Sequence, residues 1–214
     1  MTTYYQLLKA DKVDGKVPPG LDGTHVKNKA ALFGFNEVSA NDFYKTAVSF
    51  DFFVPKDFGD PEPAEGPQII CDLHQWRGEY PIGGQFMPIS EKLQKLFQQF
   101  GIQKYRFYPA KVLFKERIYP YAILQLLMND FEQYIDYTKT LFNNMDIDGD
   151  LTLSEKKVLQ FDSFEDMENH SDDNWDFNWN YEKIVMKTTF RDIDLIYLPQ
   201  INEVVSEGLK IAIE

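Results

Sequence analysis

The sequence predicts an α+β fold: a mixed or largely antiparallel sheet packed by a few helices. Residues 86–142 carry one helix signal followed by three strand-like runs. A second serine-capped helix signal closes the chain at 206–214. Eighteen Phe and twelve Tyr favour strands over an all-helical bundle. With 214 residues, a single domain is expected, able to bury roughly 70% of its unfolded surface. Within it, 1–88 reads as a less regular N-terminal lobe and 89–214 as the core.

Taken in order, LLKADKVDGKVPPGLDGTHVKNKA is turn-rich, with Gly15, Pro18, Pro19, Gly20 and Gly23. KTAVSFDFFV (Lys45–Val54) reads as a strand. FVPKDFGDPEPAEGP (Phe53–Pro67) holds too much proline and acid for a regular element. IICDL (Ile69–Leu73) is a short apolar run, read as a further strand. In FMPISEKLQKLFQQFG, Ser90 stands at the N-cap position. Leu93, Leu96, Phe97 and Phe100 recur at helical spacing, and Gly101 closes the helix. YRFYPAKVLF (Tyr105–Phe114), YPYAILQLLM (Tyr119–Met128) and YIDYTKTLF (Tyr134–Phe142) follow as strands. KIVMKTTF (Lys183–Phe190) and IDLIYLP (Ile193–Pro199) read the same way.

The ending VSEGLKIAIE restarts a helix, with Ser206 as cap and Leu209, Ala212 and Ile213 sharing a face. It echoes the first helix. Both Ile89-Ser90-Glu91-Lys92-Leu93 and Val205-Ser206-Glu207-Gly208-Leu209 place an apolar residue before a serine cap, then an acid where the helix dipole favours it. Two similar helices docking from the same kind of turn are expected.

Composition narrows the function classes. The net charge is −12 and the pI about 4.7. Nucleic-acid binding needs a basic stripe that releases counterions from phosphates, and none occurs. The N-terminus lacks a basic region leading into an apolar one, and no run reaches about 18 apolar residues, so a soluble cytoplasmic protein without membrane association is expected. One cysteine precludes an internal disulfide. Cys71 and His74 have no companions at zinc spacing, and Cys71 follows two isoleucines, so a buried inert thiol is the plainer reading. No phosphate loop, nucleotide fingerprint or HExxH is present. The chain reads as no enzyme; a carboxylate-dependent hydrolase is the third-ranked alternative.

Acid and aromatics concentrate between Asp162 and Glu182, a stretch without Lys or Arg. There, Trp175, Phe177, Trp179 and Tyr181 alternate at a spacing of two, the period of an extended ribbon with one aromatic face. Such aromatics can cap a core beneath a solvated acidic loop. They can also anchor a partner: aromatic residues ringed by charge are where binding energy gathers, and acid steers a basic partner inward. The candidate partner-binding residues are Asp172, Asp173, Trp175, Asp176, Phe177, Trp179 and Tyr181.

A second pattern spans Asn144 to Glu155. Asn144, Asp146, Asp148, Asp150, Thr152 and Glu155 fall where an EF-hand loop places calcium ligands, and Gly149 takes the sharp bend. The flanks partly agree, since Phe131, Tyr134, Ile135, Leu141 and Phe142 could line an incoming helix and Val158, Leu159 and Phe164 an outgoing one. The plainer expectation is an Asp-Gly-Asp turn between two strands. Calcium is therefore the only cofactor in view, as an alternative to none.

The order of pieces resembles a bacterial polymorphic-toxin immunity family, immunity type eleven, formerly a domain of unknown function. The resemblance rests on the Pro-Ile-Ser-Glu-Lys-Leu helix, the YRFYPAKV strand, the YAILQLL run, YIDYTKTLF and the VSEGLKIAIE ending. Ile135-Asp136-Tyr137 with Thr140-Leu141-Phe142 matches best, although Thr140 stands where a serine is more usual. It covers Phe86–Phe142 and, more loosely, Lys183–Glu214, a little under half the chain. It implies an α+β protein that binds and inhibits a cognate protein toxin by occlusion, with no catalytic residues to carry over. A calcium-binding module is the runner-up.

Overall fold

The computed structural model describes residues 4–7, 20–22, 42–45, 49–50, 53–56, 70–74, 86–127, 131–145, 158–173, 178–190, 192–198 and 202–214. Their strands are β1 (Tyr4–Gln6), β2 (Gly20–Asp22), β3 (Val54–Lys56), β4 (Phe86–Ser90), β5 (Tyr105–Phe114), β6 (Arg117–Leu126), β7 (Leu141–Met145), β8 (Val158–Leu159), β9 (Asn178–Lys183), β10 (Leu195–Leu198) and β11 (Asn202–Ser206). The helices are α1 (Glu91–Phe97), α2 (Phe164–Asp173) and α3 (Glu207–Ile213). Three antiparallel sheets have three strands each, in the orders β1-β11-β10, β4-β6-β5 and β8-β7-β9, and β2 pairs with β3. The fold class is α+β, as the sequence predicts.

The chain gathers into two compact units. One comprises Met1–Asn129 with Ile193–Tyr197 and Asn202–Glu214, the other Asp130–Asp192 with Leu198–Ile201. Residues 88 and 89, the expected border between lobe and core, are adjacent within β4.

In the first unit β6 is the central strand, and Tyr121 to Leu127 are all buried. Both faces of the sheet are covered, which is why this run reads as continuously apolar rather than alternating. Phe86, Tyr108, Val112, Tyr121 and Ile123 pack on one side with Leu21, Phe50 and Phe53. Met87, Ile89, Ala122, Leu124 and Leu126 pack on the other with Leu93 and Phe97 of α1, and with Leu195, Val205 and Leu209.

Three prolines sit inside these strands without breaking the ladder. The carbonyls of Pro88 and Pro109 accept from His74 N and Phe50 N, so their missing N–H groups face away from β6. Pro120 pairs with Lys111, whose carbonyl accepts from Phe53 N on the far side of β5. By alternation Pro120 N faces past the end of β4.

The two serine-capped helices grow from the same corner. Ser90 Oγ accepts from Leu93 N at 3.1 Å, and Ser206 Oγ from Leu209 N at 3.2 Å. Each serine also donates to an aspartate: Ser90 Oγ to Asp72 Oδ1 at 2.5 Å, Ser206 Oγ to Asp194 Oδ1 at 2.6 Å. Each serine N–H then donates to that aspartate's carbonyl at 2.8 Å. Both aspartates precede a leucine, Leu73 and Leu195. Leu93 and Phe97 are buried in α1 and Leu96 is half-buried, while Gln98 is exposed. In α3 only Leu209 is buried, and Ala212, expected on the inner face, is exposed.

Several expected strands are shorter or absent. Ile69–Leu73 yields one antiparallel bridge, Leu73 to Ile89, with Ile69 outside the described residues. Within Lys45–Val54, Phe50 and Phe53 donate to the carbonyls of Pro109 and Lys111, and the strand proper begins at Val54.

In the second unit Tyr134–Phe142 is not a strand. Phe131–Gln133 forms a 3₁₀ turn, Ile135 makes a single bridge to Met186, and β7 starts only at Leu141. Asp136 is the reason. Its carboxylate accepts from Thr138 Oγ1 at 2.7 Å and Lys139 Nζ at 2.6 Å, while its carbonyl accepts from Lys139 N and Thr140 N. This local bonding competes with a ladder. Likewise Lys183–Phe190 gives the end of β9, the Met186 bridge and a second 3₁₀ turn at Thr188–Phe190. The core is aromatic: Phe142 lies 5.2 Å from both Phe161 and Tyr181, and Tyr137 stacks on it at 6.0 Å.

Candidate functional site

The acidic stretch folds as a helix followed by a strand, not as one extended ribbon. Ser163 Oγ accepts from Asp166 N at 3.1 Å and so caps α2, while Asp166 Oδ2 accepts from Asp162 N at 3.1 Å, one residue ahead of the cap rather than at the cap N–H of a capping box. Phe164 packs against Phe131 at 5.4 Å and Met167 is buried. Asp162, Glu165, Asp166 and Glu168 are left exposed on the outer side.

Asp172 and Asp173, assigned to the ribbon from sequence, are the last two residues of α2. Trp175, Asp176 and Phe177 lie outside the described residues. Trp179 and Tyr181 belong to β9, opposite Asn144 and Phe142. Tyr181 is half-buried against Phe142, and burial drives its phenol pKa upward. At this position the aromatic serves the core.

Acid runs the whole length of α2. Glu165 and Asp166 occupy the first turn, where the helix dipole favours negative charge. Asp172 and Asp173 occupy the last, where it disfavours it. His170 is the basic residue of that turn, its ring 5.5 Å from Phe161. Helix stability alone does not account for acid at the C-terminal end. The exposed acids of α2 were not among the site residues expected from sequence. The S-x-x-D signature at 163–166, followed by Met167 at helical spacing from Phe164, is the signal that marks them.

Beneath α2, Tyr137 is buried, and its hydroxyl meets no hydrogen-bond partner among the described residues. Its pKa is raised, chiefly by burial and then by Tyr181, Glu132 and Glu168. Asn143 Nδ2 donates to Glu182 Oε2 at 2.9 Å.

Of the candidate calcium ligands, Asn144 belongs to β7, paired with Trp179; Asp146, Asp148, Asp150, Thr152 and Glu155 lie outside the described residues. The elements on either side are strands. Phe142 pairs with Leu159 and Asn143 with Val158, antiparallel. Paired strands thus flank the 146–157 segment, while the Asp-Gly-Asp turn itself lies outside the described residues. Among the described residues no group of three or more His, Cys, Asp and Glu is arranged to hold a metal ion.

In the first unit Cys71 lines a pocket of about 540 Å³ with Ile70, Asp72, Ser90, Lys92 and Tyr121 among others, and buried His74 lies beside it without lining the pocket. The sulfur lies 3.7 Å from both ring nitrogens of His74, so it faces the ring edge between them rather than either lone pair. The thiol donates instead to Leu73 O at 2.9 Å, and His74 Nε2 accepts from Cys71 N at 3.3 Å. Burial pushes the Cys71 pKa up to about 11. A base-activated nucleophile would need the opposite shift.

Among the described residues no helix is long and apolar enough to cross a membrane. No family model matches the chain, and neither a curated protein nor a solved structure is similar to it.

Proposed function

We propose that this chain is an immunity protein: it binds a basic protein toxin in the cytoplasm and holds it inactive by occlusion. The observation that carries the reading is the acidic outer face of α2, seated on a fixed aromatic underside. Asp162, Glu165, Asp166 and Glu168 are exposed, while Phe164 packs on Phe131 and Tyr137 and Met167 is buried. A helix whose exposed acids stand over a packed apolar underside presents a concentrated negative field. Such a field accelerates encounter with a basic surface and is weakened by salt. The resemblance to the immunity family adds support.

The test uses the C-terminal domain of the polypeptide encoded by the adjacent gene. Co-expression should restore growth to cells producing that domain. Asp162→Lys, Glu165→Lys and Glu168→Lys together should slow association about tenfold or more at low salt, with the fold retained and the melting temperature lowered by about 2–4 °C as the first turn loses its favourable acid. A triple variant that associates and protects as the parent does would move the binding surface off α2.

A further inference from the structure

The β5–β6 hairpin carries features that its own fold does not require. Its strands pair over ten residues each, from Tyr105↔Leu126 to Phe114↔Arg117. β4 accompanies β6 only as far as Tyr121, so Arg117 to Pro120 run on beyond it. Ile118 is 56% exposed there, paired with half-buried Leu113. Lys111 and Pro120 form the next cross-strand pair on the same face, both exposed. The two turn residues, Lys115 and Glu116, have φ of 48° and 62°. Both are left-handed, the geometry that Asn-Gly adopts at least cost in a two-residue hairpin.

Charge sets this tip apart. Lys111, Lys115 and Arg117 stand exposed against one acid, Glu116, in a chain of net charge −12. None of these four forms an ion pair among the described residues, and Lys115 Nζ lies 5.0 Å from the Phe114 ring centroid. The tip thus presents an exposed apolar residue with Lys111 on its own face, and Arg117 with Lys115 beside Phe114 on the other, in an acidic protein. Residues strained into left-handed conformation are retained where their side chains serve a contact.

Two other occupants fit poorly. Strand addition along β6 would meet Pro120, which has no N–H to offer at the first position past β4. Nucleic acid would be held by three cations against the field of the whole chain, far short of the six to ten phosphate contacts typical of such binding.

The geometry points to the hairpin tip as the occluding element, inserted into a carboxylate-lined, apolar-floored cleft of the partner protein. This rests on the immunity reading and specifies how it operates: Ile118 fills the floor while Lys111, Lys115 and Arg117 meet the carboxylates. A partner so engaged carries an acidic recess for the hairpin tip. That is the charge pattern of a catalytic cleft built from carboxylates.

The test measures affinity for an inactivated C-terminal domain of the adjacent gene product, using the full chain. Lys115→Glu with Arg117→Glu, and separately Ile118→Asp, should each weaken binding by about 30-fold or more. Lys115→Asn with Glu116→Gly is the control for folding. It should raise the melting temperature by relieving the turn, yet still weaken binding by losing Lys115. Parent-like affinity in the hairpin variants, with the α2 charge reversal still slowing association, overturns this inference and leaves the immunity reading standing. Absence of binding by the parent overturns both. Binding of the parent to a mixed-sequence RNA duplex, lost in Lys115→Glu with Arg117→Glu, also overturns the inference by assigning the tip to phosphate.

Discussion

The two serine-capped corners of the first unit use the same bonds to different ends. At each, an aspartate ahead of a leucine receives the serine hydroxyl and the serine N–H, while the serine caps a seven-residue helix. They differ in the aspartate's remaining oxygen. Asp72 Oδ2 meets Lys92 Nζ at 3.0 Å, a pair whose side chains are 45% and 83% exposed. Asp194 Oδ2 accepts from Gly101 N at 2.9 Å, while Gly101 O accepts from Asp194 N and Leu195 N. The second corner thereby fastens the end of α1 to the start of β10; the first fastens α1 only at its beginning. One motif serves once as a cap and once as a cap and a joint.

The helices differ in how much they bury, and this sets the largest expected effect. α1 buries Leu93 and Phe97, α3 only Leu209. Phe97→Ala should destabilise the protein by about 3–5 kcal/mol in urea unfolding, as a large-to-small change at a fully enclosed position. Gln98→Ala, one residue on and exposed, should stay within about 0.5 kcal/mol. Equal effects from the two would show that α1 is rotated about its axis.

The joint itself comes next. Asp194→Ala leaves Gly101 N–H and the Ser206 hydroxyl without their acceptor, at an expected cost of about 2–3 kcal/mol. Asp72→Ala loses the Ser90 bond and an exposed ion pair, for about 1 kcal/mol. Ser206→Ala alone should cost about 1 kcal/mol as a lost cap. In the Asp194→Ala background it should cost less, because the two share one hydrogen bond. Similar losses from Asp72→Ala and Asp194→Ala would mean that the Gly101 contact adds nothing.

The corners also show what a linear reading can reach. The helix half of each was legible, because cap, acid and leucine lie within four residues. The Asp-Leu half was not. It sits 18 residues before Ser90 but 12 before Ser206, so no fixed period reveals it. Strand lengths were legible where both faces are buried, as in β6. They were not where one side chain redirects the backbone, as Asp136 does ahead of β7. The acidic surface was legible as charge but not as a helix, because Phe164 and Met167 are the only apolar residues among 162–173 and two positions make no period. Electrostatics at Asp136 follow from the same bonds: Lys139, then Thr138, hold its carboxyl below the usual range.

The effect of the remaining substitution depends on pH and lies at the residue before each corner aspartate. The second corner has Ile193 there and the first has Cys71. Burial raises the Cys71 thiol from an ordinary 9.0 to about 11, opposed in part by its bond to Leu73 O. The folded state therefore keeps a proton that the unfolded chain releases near pH 9. This contribution to stability is complete below about pH 9 and is lost as the pH rises through 11. Cys71→Val makes the first corner resemble the second and removes the titration. It should shift stability by less than about 1.5 kcal/mol at neutral pH and flatten the decline between pH 9 and 11. Iodoacetamide reports on the same group. At pH 8 the native thiol should react about 100-fold more slowly than the urea-unfolded chain, since only the thiolate attacks and two units separate the pKa values. Alkylation of the native protein at the unfolded rate would place an ionised sulfur beside His74 and return the pair to the list of candidate nucleophiles.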